Sequence, residues 1–158
     1  LHPRFLLAGL GNLPYPDTRH SLGHTLIDGL ANRWRIRLGK KPNGWSGQSI
    51  VRLKGGHQVS MVLYKSNALM NISGPSIAAA AKMADHLFVL HDSIDNKVGK
   101  VSVQYAAPHR GHNGIKSIQQ AYTPPFWTVR LGIGRPVQGE DLAEFVLSKL
   151  SAREMDHW

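Results

Sequence analysis

The chain has 158 residues, 19 Lys plus Arg against 10 Asp plus Glu for a formal charge of +9, and no cysteine. A chain of this length buries ~70% of the surface its unfolded form exposes, so one domain is expected without disulfide or structural metal. The missing cysteines exclude thiolate nucleophiles, thiol redox centres and cysteine zinc sites, and fit a reducing compartment.

Residues 5–10 (FLLAGL) form a short apolar run entering the turn Gly9-Leu10-Gly11-Asn12, as a buried strand would. Leu22, Leu26, Ile27 and Leu30 then recur at helical spacing behind Thr18 or Ser21 as cap, and the pattern fades at Trp34. Residues 35–47 are basic and broken by Gly and Pro, hence a loop. Residues 49–53 and 58–64 flank Gly55-Gly56 as a hairpin. Residues 73–84 are alanine-rich with Ser73 and Pro75 at the front, which suits a helix whose Met83 and alanines face the core. A buried strand follows at 87–90 and stops at His91-Asp92. Further along come a strand at 101–105, a glycine-opened helix at 111–121, a strand at 128–133 and an amphipathic helix at 141–150.

No repeat or low-complexity segment marks a domain boundary. Strands alternating with helices predict an α/β fold, a single three-layer domain with a twisted mixed sheet and helices on both faces. No apolar run approaches the ~20 residues of a membrane helix, so no membrane association is expected. Residues 1–10 are too short and poorly flanked for a signal peptide, while an opening Leu1 leaves room for a preceding segment. The basic excess comes from scarce acids rather than abundant charge. Composition alone leaves open whether it serves a polyanion such as nucleic acid or only solubility.

Asn12, Asn71, Asp92 and Asn113 all fall just beyond a predicted strand or at the start of a helix, and His20 sits at the opening of the first helix. In open α/β sheets that rim is where ligands bind. Each asparagine taken singly fits a turn or a helix cap; their joint placement on one rim points to a site. An aspartate bonded to one ring nitrogen of a histidine fixes the tautomer and leaves the other nitrogen to take a proton from water. His20 and Asp92 are the pair that can do this. Competing motifs are weak. Gly9-Leu10-Gly11 lacks the third glycine of a dinucleotide fingerprint, and no serine stands in a G-x-S-x-G elbow. The pairs His20/His24 and His109/His112 have zinc-like spacing but no companion glutamate, so they read as surface histidines.

The stretches Gly9-Leu10-Gly11-Asn12, Thr18-Arg19-His20-Ser21-Leu22-Gly23, Leu69-Met70-Asn71-Ile72-Ser73-Gly74, His91-Asp92-Ser93-Ile94-Asp95, Gly111-His112-Asn113-Gly114 and Arg130-Leu131-Gly132-Ile133-Gly134 resemble the successive signatures of the bacterial-type peptidyl-tRNA hydrolase family. They stand in the family's order and span nearly the whole chain. The Thr-Arg-His-Ser form resembles the family's eukaryotic or organellar branch. The resemblance implies one domain over residues 1–158, hydrolysis of the ester between peptide and tRNA, no metal or cofactor, and a cytoplasmic or mitochondrial monomer.

By the same resemblance, His20 is the general base and Asp92 its support, Asn12 checks for a blocked amino group, and Asn113 and Asn71 order the reacting ester and water. Tyr15, Leu69 and Met70 line the path of the peptide or terminal adenosine, and Arg130 is half of a clamp on the tRNA 5′ phosphate of the acceptor arm. Departures from the pattern are also present. Leu13-Pro14 replaces Pro-Gly after Asn12, Ser93 replaces a glutamate, and Ala107-Pro108-His109-Arg110 replaces a glycine-rich approach to Asn113. Gln104 stands where the second clamp cation is expected, leaving Lys100 or Arg110 to compensate, and the helix that normally follows Trp158 is lacking. A second reading follows from the basic surface and altered clamp: a non-catalytic RNA-binding relative of the organellar splicing-factor type.

Overall fold

A computed structural model describes residues 2–158. Seven strands form one sheet: β1 (Arg4–Gly9), β2 (Gly39–Lys41), β3 (Gly44–Arg52), β4 (Gln58–Ser66), β5 (His86–Ser93), β6 (Val101–Tyr105) and β7 (Trp127–Gly132). Their order is β2-β3-β4-β1-β5-β7-β6. The central β4, β1, β5 and β7 are mutually parallel, while β3 pairs antiparallel with β4, β2 antiparallel with β3, and β6 antiparallel with β7. Parallel strands end on the same side, so Gly9, Ser66, Ser93 and Gly132 deliver their following loops to one rim.

The five helices are α1 (Leu22–Trp34), α2 (Gly74–Ala81), α3 (Asn113–Ala121) and the short α4 (Leu142–Val146) and α5 (Ala152–Met155). Alternation along the strands separates two cores. Leu6, Ala8, Leu87 and Val89 pack with Ile77 of α2 and Ile115 and Ile118 of α3. Leu63, Leu90 and Leu131 pack with Leu22, Ile27 and Ala31 of α1. This gives the three layers expected from the sequence. The first turn of α1 lies directly on the strand backbones. A Cβ on Gly9 would meet the Gly23 carbonyl oxygen at 2.3 Å, and one on Gly23 would meet that of Leu90 at 2.3 Å. Glycine at both positions lets the start of α1 reach the ends of β1 and β5.

Several local expectations are corrected. The 35–47 stretch is not all loop: β2 lies within it and β3 starts at Gly44, because long-range pairing with β4 organises a segment that has no apolar period of its own. The 87–90 strand continues through His91 and Asp92 to Ser93, where β7 supplies partners. The 73–84 helix ends at Ala81, and Met83, 71% exposed, lies in the turn before β5, its carbonyl accepting from Arg4 at 3.1 Å. The 141–150 helix is reduced to α4, with α5 beyond it. Ser21 stands at the N-cap position of α1, but its hydroxyl serves the loop after β1 rather than the helix.

His24 and His91 are buried, and burial pushes their pKa values from the ordinary 6.5 down to about 4 and about 3, with the charge of Lys65 adding to the effect on His24. A depressed histidine takes up its proton in the unfolded chain first, so unfolding binds protons as pH falls below 6.5. Both histidines thus stabilise the fold fully above pH 6.5 and progressively less toward pH 4 and below. Denaturant midpoints measured from pH 8 to pH 3.5 should fall below pH 6.5 by the equivalent of roughly a few kcal/mol; a flat profile between pH 6.5 and pH 4 would contradict this.

Candidate active site

At the carboxyl end of β5 the Asp92 side chain, 3% exposed, lies between two histidines that arrive from opposite faces of the sheet. His20, in the 3-10 turn Arg19–Ser21 that leads into α1, places Nδ1 3.0 Å from both carboxylate oxygens. His112 places Nε2 2.9 Å from Oδ1. The His112 ring also caps α3: Nδ1 accepts from the Gly114 and Ile115 backbone N–H groups at 3.1 and 3.3 Å. An acceptor cannot carry a proton, so the His112 proton is on Nε2 and is donated to Asp92. Asp92 accepts from His20 Nδ1–H in turn, and His20 Nε2 has no protein partner among the described residues.

Electrostatics follow this geometry. Burial alone would raise the Asp92 pKa, but the two imidazoles outweigh it and hold the carboxyl well below the usual range. Burial alone would lower the His20 pKa, and the charge and hydrogen bond of Asp92 more than offset it, so the pKa stands above 6.5. His20, Asp92 and His112 are also the one trio of described residues whose ligand atoms fall within 4.8 Å. Their donors and acceptors are already matched in one chain, from the α3 amides through His112 and Asp92 to His20. That chain accounts for their proximity as hydrogen bonding.

The loop after β1 is fixed from below. The Asn12 backbone N–H donates to Ser21 Oγ at 2.9 Å, and the Ser21 hydroxyl lies 2.9 and 3.2 Å from the carbonyl oxygens of Tyr15 and Asn12. Asn12 Oδ1 accepts from the Met70 N–H at 2.6 Å. This orients the carboxamide and leaves Nδ2 without a protein acceptor among the described residues. Next to His20, Arg19 pins the end of the chain: it donates to both Glu154 oxygens at 2.8 and 3.0 Å, lies over the Phe145 ring and bonds to Ser148.

One cavity of about 750 Å³ is lined by every residue singled out from the sequence: Asn12, Tyr15, His20, Leu69, Met70, Asn71, Asp92, Asn113 and Arg130. Asn71, within the 3-10 turn Met70–Ile72, and Asn113, the first residue of α3, are exposed, and neither side chain is bonded among the described residues. Tyr15 and Leu69 present half-exposed surface, whereas Met70 is 3% exposed and belongs to the core. Arg130 on β7 is buried, with Nη2 3.4 Å from Ser93 Oγ and 3.8 Å from Asp95. Gln104 on β6 lines the same cavity, and its buried Oε1 has no partner among the described residues.

His112 is the site residue that sequence reasoning missed, and together with His24 it corrects the expectation of surface histidines. His24 is buried against Gly11, where a Cβ would lie 2.6 Å from its ring. The signal available for His112 was its place immediately before the Asn-Gly start of a helix, where a side-chain acceptor is wanted.

The family model for peptidyl-tRNA hydrolase matches residues 6–158. A peptidyl-tRNA hydrolase of Bacillus velezensis is 39% identical over 160 residues, covering 96% of this chain and 82% of its own length. That of Bacillus subtilis is 37% identical over 157 residues, covering 94% and 81%. Among solved structures, an arginine-to-glutamine variant of the Acinetobacter baumannii peptidyl-tRNA hydrolase superposes with a TM-score of 0.85 at 30% identity, over 99% of this chain and 82% of that one. These relatives support the bacterial-type family as a whole; the eukaryotic or organellar branch gains no support from them. The non-catalytic alternative is not favoured.

Proposed function

Since the chain belongs to the peptidyl-tRNA hydrolase family and hydrolyses the ester of peptidyl-tRNA, we propose that His20 is the general base, aligned by Asp92 and acting on water. The single observation that carries this is the His20 Nδ1 to Asp92 contact at 3.0 Å, which directs Nε2 to the cavity. Water bound at Nε2 gives up a proton as its oxygen attacks the ester carbonyl. The imidazolium so formed is stabilised by Asp92, and returns the proton to the departing tRNA 3′ oxygen. An ester is an easier leaving system than an amide, so a base and oriented donors suffice without a covalent nucleophile. Asn113 and Asn71, unbonded among the described residues, supply carboxamide N–H groups to the developing oxyanion and the attacking water.

Asn12 reads the substrate through its orientation. With Oδ1 held by Met70, Nδ2 offers only N–H donors. The carbonyl of an N-acylated residue matches them, and a free ammonium does not. Wild type should therefore hydrolyse N-blocked aminoacyl-tRNA in strong preference to free aminoacyl-tRNA. Asn12→Asp, which replaces the donor by an acceptor, should narrow that preference by tenfold or more, on the order of one charge-assisted hydrogen bond. Turnover of the two substrates side by side tests this, and an unchanged ratio in the variant would rule out the assigned role.

Tyr15, Leu69 and the edge of Met70 provide the apolar wall for the peptide or terminal base, and Arg130 binds phosphate at the acceptor arm. The basic excess supports contacts to phosphates that position tRNA without reading its sequence. Among the described residues no helix is long and apolar enough to cross a membrane. We place the enzyme as a monomer where translation occurs, in the cytoplasm or the mitochondrion.

A further inference from the structure

His20 is carried by the three-residue turn Arg19–Ser21, and a 3-10 turn this short has little stability of its own. Thr18 in front of it gives no side-chain cap. The place of the turn is therefore set by what the neighbours of His20 touch. Ser21 ties it to the loop after β1 through its hydroxyl. Arg19 ties it to the last part of the chain. Its backbone N–H donates to the Ser148 carbonyl oxygen at 3.0 Å. Its guanidinium donates to the Lys149 carbonyl oxygen at 3.2 Å and to Ser148 Oγ, forks onto both Glu154 oxygens at 2.8 and 3.0 Å, and lies 4.3 Å from the centre of the Phe145 ring. One side chain thus reaches α4, α5 and the link between them.

The contacts are of the kind that fix orientation as well as distance. A guanidinium forked onto a carboxylate leaves neither partner free to turn, and the two side chains are only 13% and 19% exposed. Glu154 is anchored in turn, because its carboxylate accepts from the Ser151 N–H at 2.9 Å and its own N–H donates to Ser151 Oγ at 3.1 Å, the capping box of α5. On α4, Leu142, Val146 and Leu147 line the substrate cavity while Phe145 meets the guanidinium. Arg19 therefore joins the turn that carries His20 to one wall of the cavity. His20 needs such a hold. Its Nδ1 stands 3.0 Å from both Asp92 oxygens, and a shift of ~1 Å takes a contact of that length outside hydrogen-bond range.

We propose that Arg19 is a positioning residue for the hydrolysis: held by Glu154 and Phe145, it keeps the His20 ring on Asp92 with Nε2 turned to the cavity. Arg19 does not itself line the cavity, so it acts through His20. The proposal rests on the reading of His20 as the base.

Ring N–H NMR spectra and steady-state kinetics of wild type, Arg19→Ala, Arg19→Lys and Glu154→Gln test this, each at a temperature where thermal unfolding shows the protein folded. A ring N–H bonded to a carboxylate gives a slowly exchanging low-field signal. His20 and His112 each provide one, and His112, held by α3, is the internal control. Arg19→Ala should broaden or abolish the His20 signal and spare that of His112. It should also lower kcat on N-blocked aminoacyl-tRNA by about 10²-fold, the cost of misplacing a reacting group by ~1 Å, with KM changing only a few-fold. Arg19→Lys, which keeps the charge without the fork, should recover part of both. Glu154→Gln should show the same changes in smaller measure, and these two milder variants carry the test should Arg19→Ala not fold. A merely structural tie would lower the unfolding temperature and leave the His20 signal and kcat as in wild type; that result in every folded variant would overturn the proposal. The NMR signal does not depend on turnover, so a His20 signal lost with kcat intact would uphold the hold of Arg19 on the ring and count against His20 as the base.

Discussion

His20→Ala is expected to lower kcat on N-blocked peptidyl-tRNA by ~10²- to 10⁴-fold, the range a positioned general base contributes, with KM changing only a few-fold. No neighbouring imidazole can take over. Both ring nitrogens of His112 are committed, one to the amides of α3 and one to Asp92. His91 is buried, its Nδ1 lies 2.8 Å from the Asp92 carbonyl oxygen, and with a pKa pushed down to about 3 it is a poor base. Asp92 keeps His112 as a partner in the variant, so the carboxylate is not left wholly unpaired and the fold should survive. Steady-state kinetics with wild type and variant at matched substrate decide the matter. Equal kcat values would remove His20 from the mechanism.

Asp92→Asn should be nearly as damaging, for a reason that lies in hydrogen-bond matching. The carboxylate accepts from His20 on both oxygens and from His112 on one. A carboxamide keeps one acceptor oxygen and turns the other position into a donor that faces the His20 N–H. Either the His20 ring turns over, presenting the wrong tautomer to water, or His112 loses its acceptor and loosens the start of α3. An activity loss on the order of 10²- to 10⁴-fold is expected, as for other imidazoles whose orienting aspartate becomes an amide. Because Asp92 sits at the end of a central strand, folding must be followed in parallel by thermal unfolding. A folded Asp92→Asn protein with wild-type kcat would exclude the orienting role.

The fold class and the rim of the sheet were legible in the sequence because apolar runs and glycine turns are local signals. The strand at 5–10 and the helix from Leu22 carried their own periodicity. β2 and the first half of β3 carried none, since their pairing partners lie in β4 and in each other. At the site, His20, Asp92 and the three asparagines were found because each stands at a strand end or helix start. His112 escaped because its task exists only once α3 docks beside β5, which brings together residues 20 apart in the chain. Arg110 was legible as a departure from a glycine-rich loop and as a cation that could stand in for the one missing at Gln104, whereas its positive φ is a product of the folded chain.

The pH dependence of kcat/KM in wild type and Asp92→Asn tests the central claim most directly. The base form of His20 is the active one, so the rate should rise with pH through the His20 pKa. In wild type that midpoint lies above 6.5, because Asp92 outweighs burial. Removing the Asp92 charge leaves burial dominant, and the midpoint should move below 6.5 as the plateau rate falls. A midpoint that stays in place in Asp92→Asn, or a wild-type rate that does not rise with pH across this range, would contradict a water-activating His20 held by Asp92.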